Sequence, residues 1–390
     1  MKKLLAIFLS AIMIAQTASA VCAVDVEETV QDAVVEIHVS PSGSDGWDGS
    51  VARPLASINQ AKKMARTIRA ERTVPIDIIF HEGTYRMTQT VTFDSGDSGT
   101  KDAPITYKAA EGENVVFKGS KVLDMKAFKE VTDPAILKRI PESARGYVGV
   151  MNLRSQGINS IAAVPKGRSG VNAIYGYHEL FFNGDAQVLA RFPNSEYTTI
   201  KKITNSATKT IQMAESNITR WGQAKDARLG GYLQNDYNYE RAVVEQINPE
   251  ERTLKLPSGT TISGANRRIH IYNLLEELDM PGEWYIDPEN FMLYFYPPTV
   301  ISDETLEISV LGDTMFQLNN VKFVNFEGLE FSQMRFRAFE TPGCTDLGFY
   351  GCIFSDIKNS AIRDFSDVYG EYRKAPNSYR LPLKTVSSKI

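Results

Sequence analysis

Near the C-terminus the apolar positions repeat with a constant offset of 23 residues. Val324, Phe326, Gly328, Leu329, Phe331 and Met334 recur as Leu347, Phe349, Gly351, Cys352, Phe354 and Ile357, and the same register carries Phe316 onto Phe339 and Phe339 onto Ile362. Within one unit the apolar residues alternate, break at the glycine, and alternate again, as short strands joined by a bend should. A strand unit of this length cannot bury its own apolar face and does so by stacking on the next. The pattern predicts an all-β fold built from coils of a parallel β-helix, with Phe326 stacked on Phe349, Leu329 on Cys352, and all four pointing inward.

Upstream, residues 36–48 read as a strand running into a turn-rich loop, and Pro54 precedes an amphipathic helix. There Ile58, Ala61, Ala65 and Ile68 share one face and Lys62, Lys63, Arg66 and Arg69 the other, which suits a cap over the open end of the stack. Strand signals at 76–80, 90–93, 105–107 and 115–117 are separated by Gly83, Gly96, Gly99 and Gly112. These give β-helix coils with their cap over 36–120. From about residue 121 the pattern changes to antiparallel pieces: a hairpin through Asn183-Gly184, where both residues favour the positive φ of a type I′ turn, and a second through residues 287–290. The economical reading is a β-rich domain inserted over 121–307, with coils resuming over 308–368. A further coil in the same register would need apolar residues at Gly370, Tyr372, Ala375, Asn377 and Arg380. The repeat is therefore expected to fail, leaving an irregular tail at 369–390 and a truncated, catalytically weak product.

The N-terminus adds an address. Met1-Lys2-Lys3, an apolar run from Leu4 to Ala15 and Ala18-Ser19-Ala20 have the layout of a secretory signal peptide over 1–20, followed by a mature segment at 21–35. Cys22 raises lipid anchoring, but Val21 stands where a small residue usually precedes a lipidated cysteine, so secretion is the favoured reading. The formal charge of −4 becomes more negative by two once Lys2 and Lys3 are removed, and no basic tract is present, which argues against nucleic acid as a partner. No later segment is long and apolar enough to span a bilayer. Cys344 and Cys352 form neither a disulfide framework nor a metal spacing, and Cys352 reads as a buried thiol.

Several runs along the chain carry a family resemblance: His38-Val39-Ser40-Pro41-Ser42-Gly43-Ser44-Asp45 leading to Arg53-Pro54, then Glu82-Gly83-Thr84-Tyr85, Asp97-Ser98-Gly99-Thr100 and Ala103-Pro104-Ile105-Thr106-Tyr107. Later come Leu189-Ala190-Arg191-Phe192-Pro193-Asn194, Leu275-Glu276-Glu277-Leu278-Asp279-Met280-Pro281-Gly282-Glu283-Trp284-Tyr285-Ile286-Asp287 and Leu293-Tyr294-Phe295-Tyr296-Pro297-Pro298. This succession, over about 36–365, resembles the secreted right-handed parallel β-helix repeat proteins of the pectin-lyase-like superfamily, in particular the glycosidase branches related to β-xylosidases and α-fucosidases. Where that family usually has glycine in the second hairpin this chain has Asn290, which tolerates the left-handed conformation. The resemblance implies a carbohydrate-active hydrolase with two carboxylates on coils after the insert and no cofactor. A non-catalytic adhesin or glycan-binding surface and a polysaccharide lyase remain the alternatives, because several activities share the scaffold.

Two outward acids on successive coils would stand near the carboxylate separation of a retaining glycosidase, about 5–5.5 Å. No acid pair falls on the 23-residue register: Glu327 faces Tyr350, Glu330 faces Ile353, Gln333 faces Asp356 and Glu340 faces Arg363. Glu340 with Asp364 is the nearest approximation and the candidate catalytic pair; the competing reading is that both are solvated loop acids, with Glu340 paired to Arg363. Arg191 and Trp47 are the candidate sugar-binding residues, against roles in domain contact and core. The acids at 276, 277, 279 and 283 read as a structural turn. None of the four histidines has a metal or triad spacing, and no metal site is expected. The partner is a polysaccharide or oligosaccharide whose linkage the sequence leaves open.

Overall fold

The computed structural model describes residues 33–163, 167–168, 176–299, 304–358, 360–364, 368–369 and 372–374. The leader at 1–20 and Cys22 lie outside the described residues, and no described helix is long and apolar enough to cross a membrane. The fold is all-β with few helices.

Three wholly parallel sheets carry the first and last parts of the chain. One has the strand order 35–39, 76–80, 105–109, 322–327, 345–350, 368–369. The second runs 83–86, 115–118, 329–332, 352–354, 372–374, and the third 91–93, 316–318, 339–341, 362–364. Successive turns of chain thus add strands to these sheets in rotation. The 23-residue repeat is this register: Val324 pairs with Leu347, Phe326 with Phe349, Phe331 with Phe354, and Phe316 with Phe339. Inward rings stack from coil to coil near the strand spacing of about 4.8 Å. Tyr107 lies on Phe326 at 5.3 Å, Phe326 on Phe349 at 5.2 Å and Phe117 on Phe331 at 5.6 Å. Leu329, Cys344 and Cys352 are likewise buried.

The bends repeat as strictly as the strands. Left-handed residues occur in pairs one coil apart: Asn320 and Gly343, Phe323 and Asp346, Gly328 and Gly351, Gln333 and Asp356. Only the third pair is glycine in both coils, so only that bend announces itself in the composition.

The helix Ile58–Glu71 packs Ile58, Ala61 and Ala65 into the core that includes Ile37 and Ile78. Ser57 caps it by accepting the Gln60 N–H at 3.2 Å, and the Asp45 carboxylate holds the entry by accepting from the Ala56 and Ser57 amides.

Between the parallel parts the chain builds three further sheets, nearly all antiparallel. The excursion interrupts one coil: strand 115–118 pairs with 329–332 and strand 105–109 with 322–327 across it. Leu306–Ser309, at the expected point of resumption, instead pairs antiparallel with Ser120–Leu123 and Leu180–Phe182, and parallel pairing restarts at Phe316. Both expected hairpins form, Phe181 opposite Ala186 and Trp284 opposite Phe295. In the second the left-handed residue is Phe291 rather than Asn290, whose side chain bonds Asp287 at 2.7 Å.

The expectation of an irregular tail from 369 needs correction. Leu347 pairs with Val368 and Cys352 with Tyr372, so another turn stacks with offsets of 21 and 20. The strands thus pair at offsets other than 23, which is why that register found polar residues there; the expected tail from 375 lies outside the described residues.

Candidate functional site

Where the inserted part meets the second parallel sheet, two kinds of polar contact form. The outward positions Arg86, Lys118 and Ser332 are register partners on successive strands. Glu307, from the antiparallel strand 306–309, reaches this row and pairs with Arg86 at 2.6 Å and Lys118 at 2.9 Å, while accepting from Gln333 at 3.1 Å. Burial would raise its carboxyl, but the two cations hold it below its ordinary value. Glu307 is thus an ionised, neutralised tie between coil and insert.

One coil further on the balance is different. Gly176 brings the inserted chain against the bends: its amide donates to the Arg335 carbonyl at 2.7 Å, and a Cβ here would lie 2.5 Å from that oxygen and 2.7 Å from Lys358. Arg335 returns the contact, donating from Nε to the Gly176 carbonyl at 3.0 Å. Two residues on, His178 bonds the Ser309 carbonyl through Nδ1 at 2.7 Å and accepts the Ala162 N–H at Nε2. Burial and then Arg335 push it down to about 4, so it stays neutral and structural. Glu179 is buried and pairs with Lys358 from the coil bend. Asp356, two residues before Lys358, occupies the left-handed bend one coil after Gln333. Burial raises both carboxyls; Lys358 lowers each, and Asp356 in turn raises Glu179. Glu330 and Asp185 also raise Asp356. Two burial-raised carboxyls thus lie near this junction, and Glu179 is ion-paired with Lys358 across it.

The expected pair lies elsewhere. Glu340 pairs in register with Arg363 and Asp364 with Thr341, so the two acids are not register partners. Glu340 sits between Arg363 at 3.6 Å and Arg337 at 3.5 Å, and accepts from Thr314 at 3.4 Å. Trp47 is exposed in the loop before the helix, and no described contact links it to Arg191 or Glu340. Arg191 stands on the edge of the nine-stranded antiparallel sheet, opposite Tyr272, and donates to the carbonyls of Pro193 at 2.8 Å and Glu196 at 2.7 Å. The turn acids are structural: Glu276 binds Arg139, Glu277 binds Trp221 and Arg220, and Glu283 accepts three backbone amides. Among the described residues no group of three His, Cys, Asp or Glu side chains is placed to hold a metal.

Sequence reasoning missed Glu179 because the pair does not lie on two coils. Asp356 was on the register, opposite Gln333, but its partner comes from the insert.

No family model matches the chain. It is 34% identical over 106 residues to pectate lyase PEL9 of Emericella nidulans, covering 26% of this chain and 24% of that protein. It is 38% identical over 86 residues to the uncharacterized protein YwoF of Bacillus subtilis, 22% of this chain and 16% of that one. The matched parts thus span about a quarter or less of these curated relatives. Among solved structures it is similar to a glycoside hydrolase, with a TM-score of 0.62 and 17% identity over 82% of this chain and 65% of that one. That likeness is one of fold.

Proposed function

We propose that this chain is a secreted carbohydrate-active protein, a right-handed parallel β-helix of the pectin-lyase-like superfamily with a β-rich domain inserted over about 121–307, acting as a glycoside hydrolase on a polysaccharide or oligosaccharide. Parallel coils in 23-residue register, the fold likeness and the leader-like N-terminus support the reading. The observation that carries it is the Glu179–Lys358 ion pair between insert and coil, with Asp356 two residues before that lysine and both carboxyls raised by burial. Glycoside hydrolysis requires one protonated carboxyl to donate to the leaving oxygen and one carboxylate to act as nucleophile or base. We assign these two roles to Glu179 and Asp356, whose carboxyls burial raises. Glu340, already balanced by two arginines, lacks the environment of a general acid.

The test is turnover of aryl glycosides and polysaccharides by the purified chain and four variants. Glu179→Gln and Asp356→Asn should each lower kcat by about a hundredfold or more, while Glu340→Gln and Asp364→Asn stay near the parent. Loss in the second pair with the first pair unaffected would move the chemistry to Glu340 and Asp364. Sugar binding with no turnover would make the protein a glycan-binding surface. The match to part of a pectate lyase favours a second reading, a lyase, whose mark is chelator-sensitive formation of unsaturated product.

A further inference from the structure

The nine-stranded antiparallel sheet buries one face and leaves the other rich in aromatic rings and arginine. Leu229, Ala242, Ile269, Ile271 and Ile200 fill its core side. Strand alternation sends their neighbours to the opposite side, and the register sets these in rows. Arg191 lies opposite Tyr272, which lies opposite Arg228; His270 lies opposite Gly230, which lies opposite Arg241.

The rings pack on one another across these rows. Tyr197 stacks on His270 with centroids 5.7 Å apart and planes 13° apart, and Tyr232 meets both Tyr197 and Tyr239 edge-on at 5.7 Å. The Tyr239 hydroxyl is hydrogen-bonded to His270 Nε2 at 2.7 Å. Gly230 makes room for that bond, since a Cβ there would lie 2.1 Å from the hydroxyl and 2.5 Å from Nε2. Arg268 covers Tyr232 at 4.5 Å and Arg241 covers Tyr239 at 5.1 Å.

The face carries more positive charge than its acids cancel. Arg228 is paired with Asp226, Arg268 lies 3.5 Å from Asp236, and Glu240 is bonded by Gln234. Arg191 donates to backbone carbonyls, and among the described residues no carboxylate lies within ion-pair distance of Arg191 or Arg241. Burial, then Arg191 and Arg241, push His270 down to about 3, so it contributes no charge of its own. Arg228 Nε, His270 Nδ1 and the Tyr272 hydroxyl are among the polar atoms buried here without a hydrogen-bond partner. Arg228 is only 6% exposed.

We propose that this face binds an anionic saccharide, with a sugar ring against the tyrosines and its carboxylate or sulfate ester on Arg241 and Arg191. Aromatic faces accept the apolar side of a pyranose, and guanidinium forks match oxyanions in both shape and charge. The inference deepens the carbohydrate reading and rests on it, but needs no turnover.

The test is calorimetric titration of the full chain at low salt with three probes: an oligogalacturonate, a sulfated galactan oligosaccharide and a neutral xylo-oligosaccharide. At least one anionic probe should bind about tenfold or more tighter than the neutral one, and which of them does so separates carboxylate from sulfate. Arg241→Gln and Arg191→Gln should each weaken that probe by about tenfold, the size of one charge-assisted contact. Arg268→Gln, at a side chain 46% exposed and so free of folding risk, should weaken it less but measurably. Equal binding of the neutral probe, or unchanged affinity in all three variants with melting points preserved, would overturn the anionic assignment and leave the carbohydrate reading standing. Failure of every probe to bind would overturn both.

Discussion

Burial pushes the Glu283 carboxyl up to about 7, against amide donors from Asp279, Met280 and Arg191 that favour its charged form. In the unfolded chain it titrates near its ordinary 4.5. Between those values the folded protein holds a proton that the unfolded chain has lost, so this group's contribution is fully present below about pH 4.5 and is lost as pH rises towards 7. A shift of that size corresponds to about 3 kcal/mol. Thermal melts at pH 4.5 and 7.5 should show Glu283→Gln to be less stable than the parent at acid pH, with a flatter fall between the two. A parallel fall in both proteins would remove Glu283 as its source. At this scale the sequence was readable where residues act locally: the acids around the Pro281-Gly282 turn were identified as structural from their setting alone. Glu179 was not, because its carboxyl is raised by a burial that only the folded chain creates and its ion-pair partner Lys358 stands 179 residues away in the chain.

The coil is the repeating element, and its bends govern it. Gly351 takes φ of +62° where its equivalent Gly328 takes +65°. A side chain there meets the cost of the left-handed region, about 1–2 kcal/mol, without touching the core. Gly351→Ala should lower stability by that amount in urea unfolding. Phe326→Ala removes a ring stacked between Tyr107 and Phe349 and should cost about 3–5 kcal/mol. Similar losses from the two variants would contradict the stacking account. Asp356 also sits in a left-handed bend, a conformation asparagine tolerates, so Asp356→Asn probes chemistry with little effect on the fold. The parallel strands were legible because stacking enforces one register on every coil. The antiparallel sheets were not, beyond their two hairpins: Leu306–Ser309 finds Ser120–Leu123 across the whole insert, a pairing that no local pattern encodes. The last strands were missed for a related reason, since they pair at offsets of 21 and 20 rather than the 23 that made the others visible.

At the scale of the whole molecule, the insert leaves the stack within a single coil and returns to complete it, placing its own residues along the outer face of the second parallel sheet. Glu307 ties that junction through two cations, and one coil later Glu179 pairs with Lys358 across it, with Asp356 two residues before that lysine and both carboxyls held above their ordinary range. Arg191, picked out from its motif, belongs to the aromatic and arginine face of the inserted sheet rather than to the Glu340 strand. The measurement that bears most directly on this arrangement is a crystal structure of Asp356→Asn with an oligosaccharide that the parent protein cleaves. The saccharide should lie along the seam, with its scissile oxygen within hydrogen-bond reach of Glu179 or residue 356. A saccharide bound instead against Glu340 and Arg363, with the seam empty, would contradict the account.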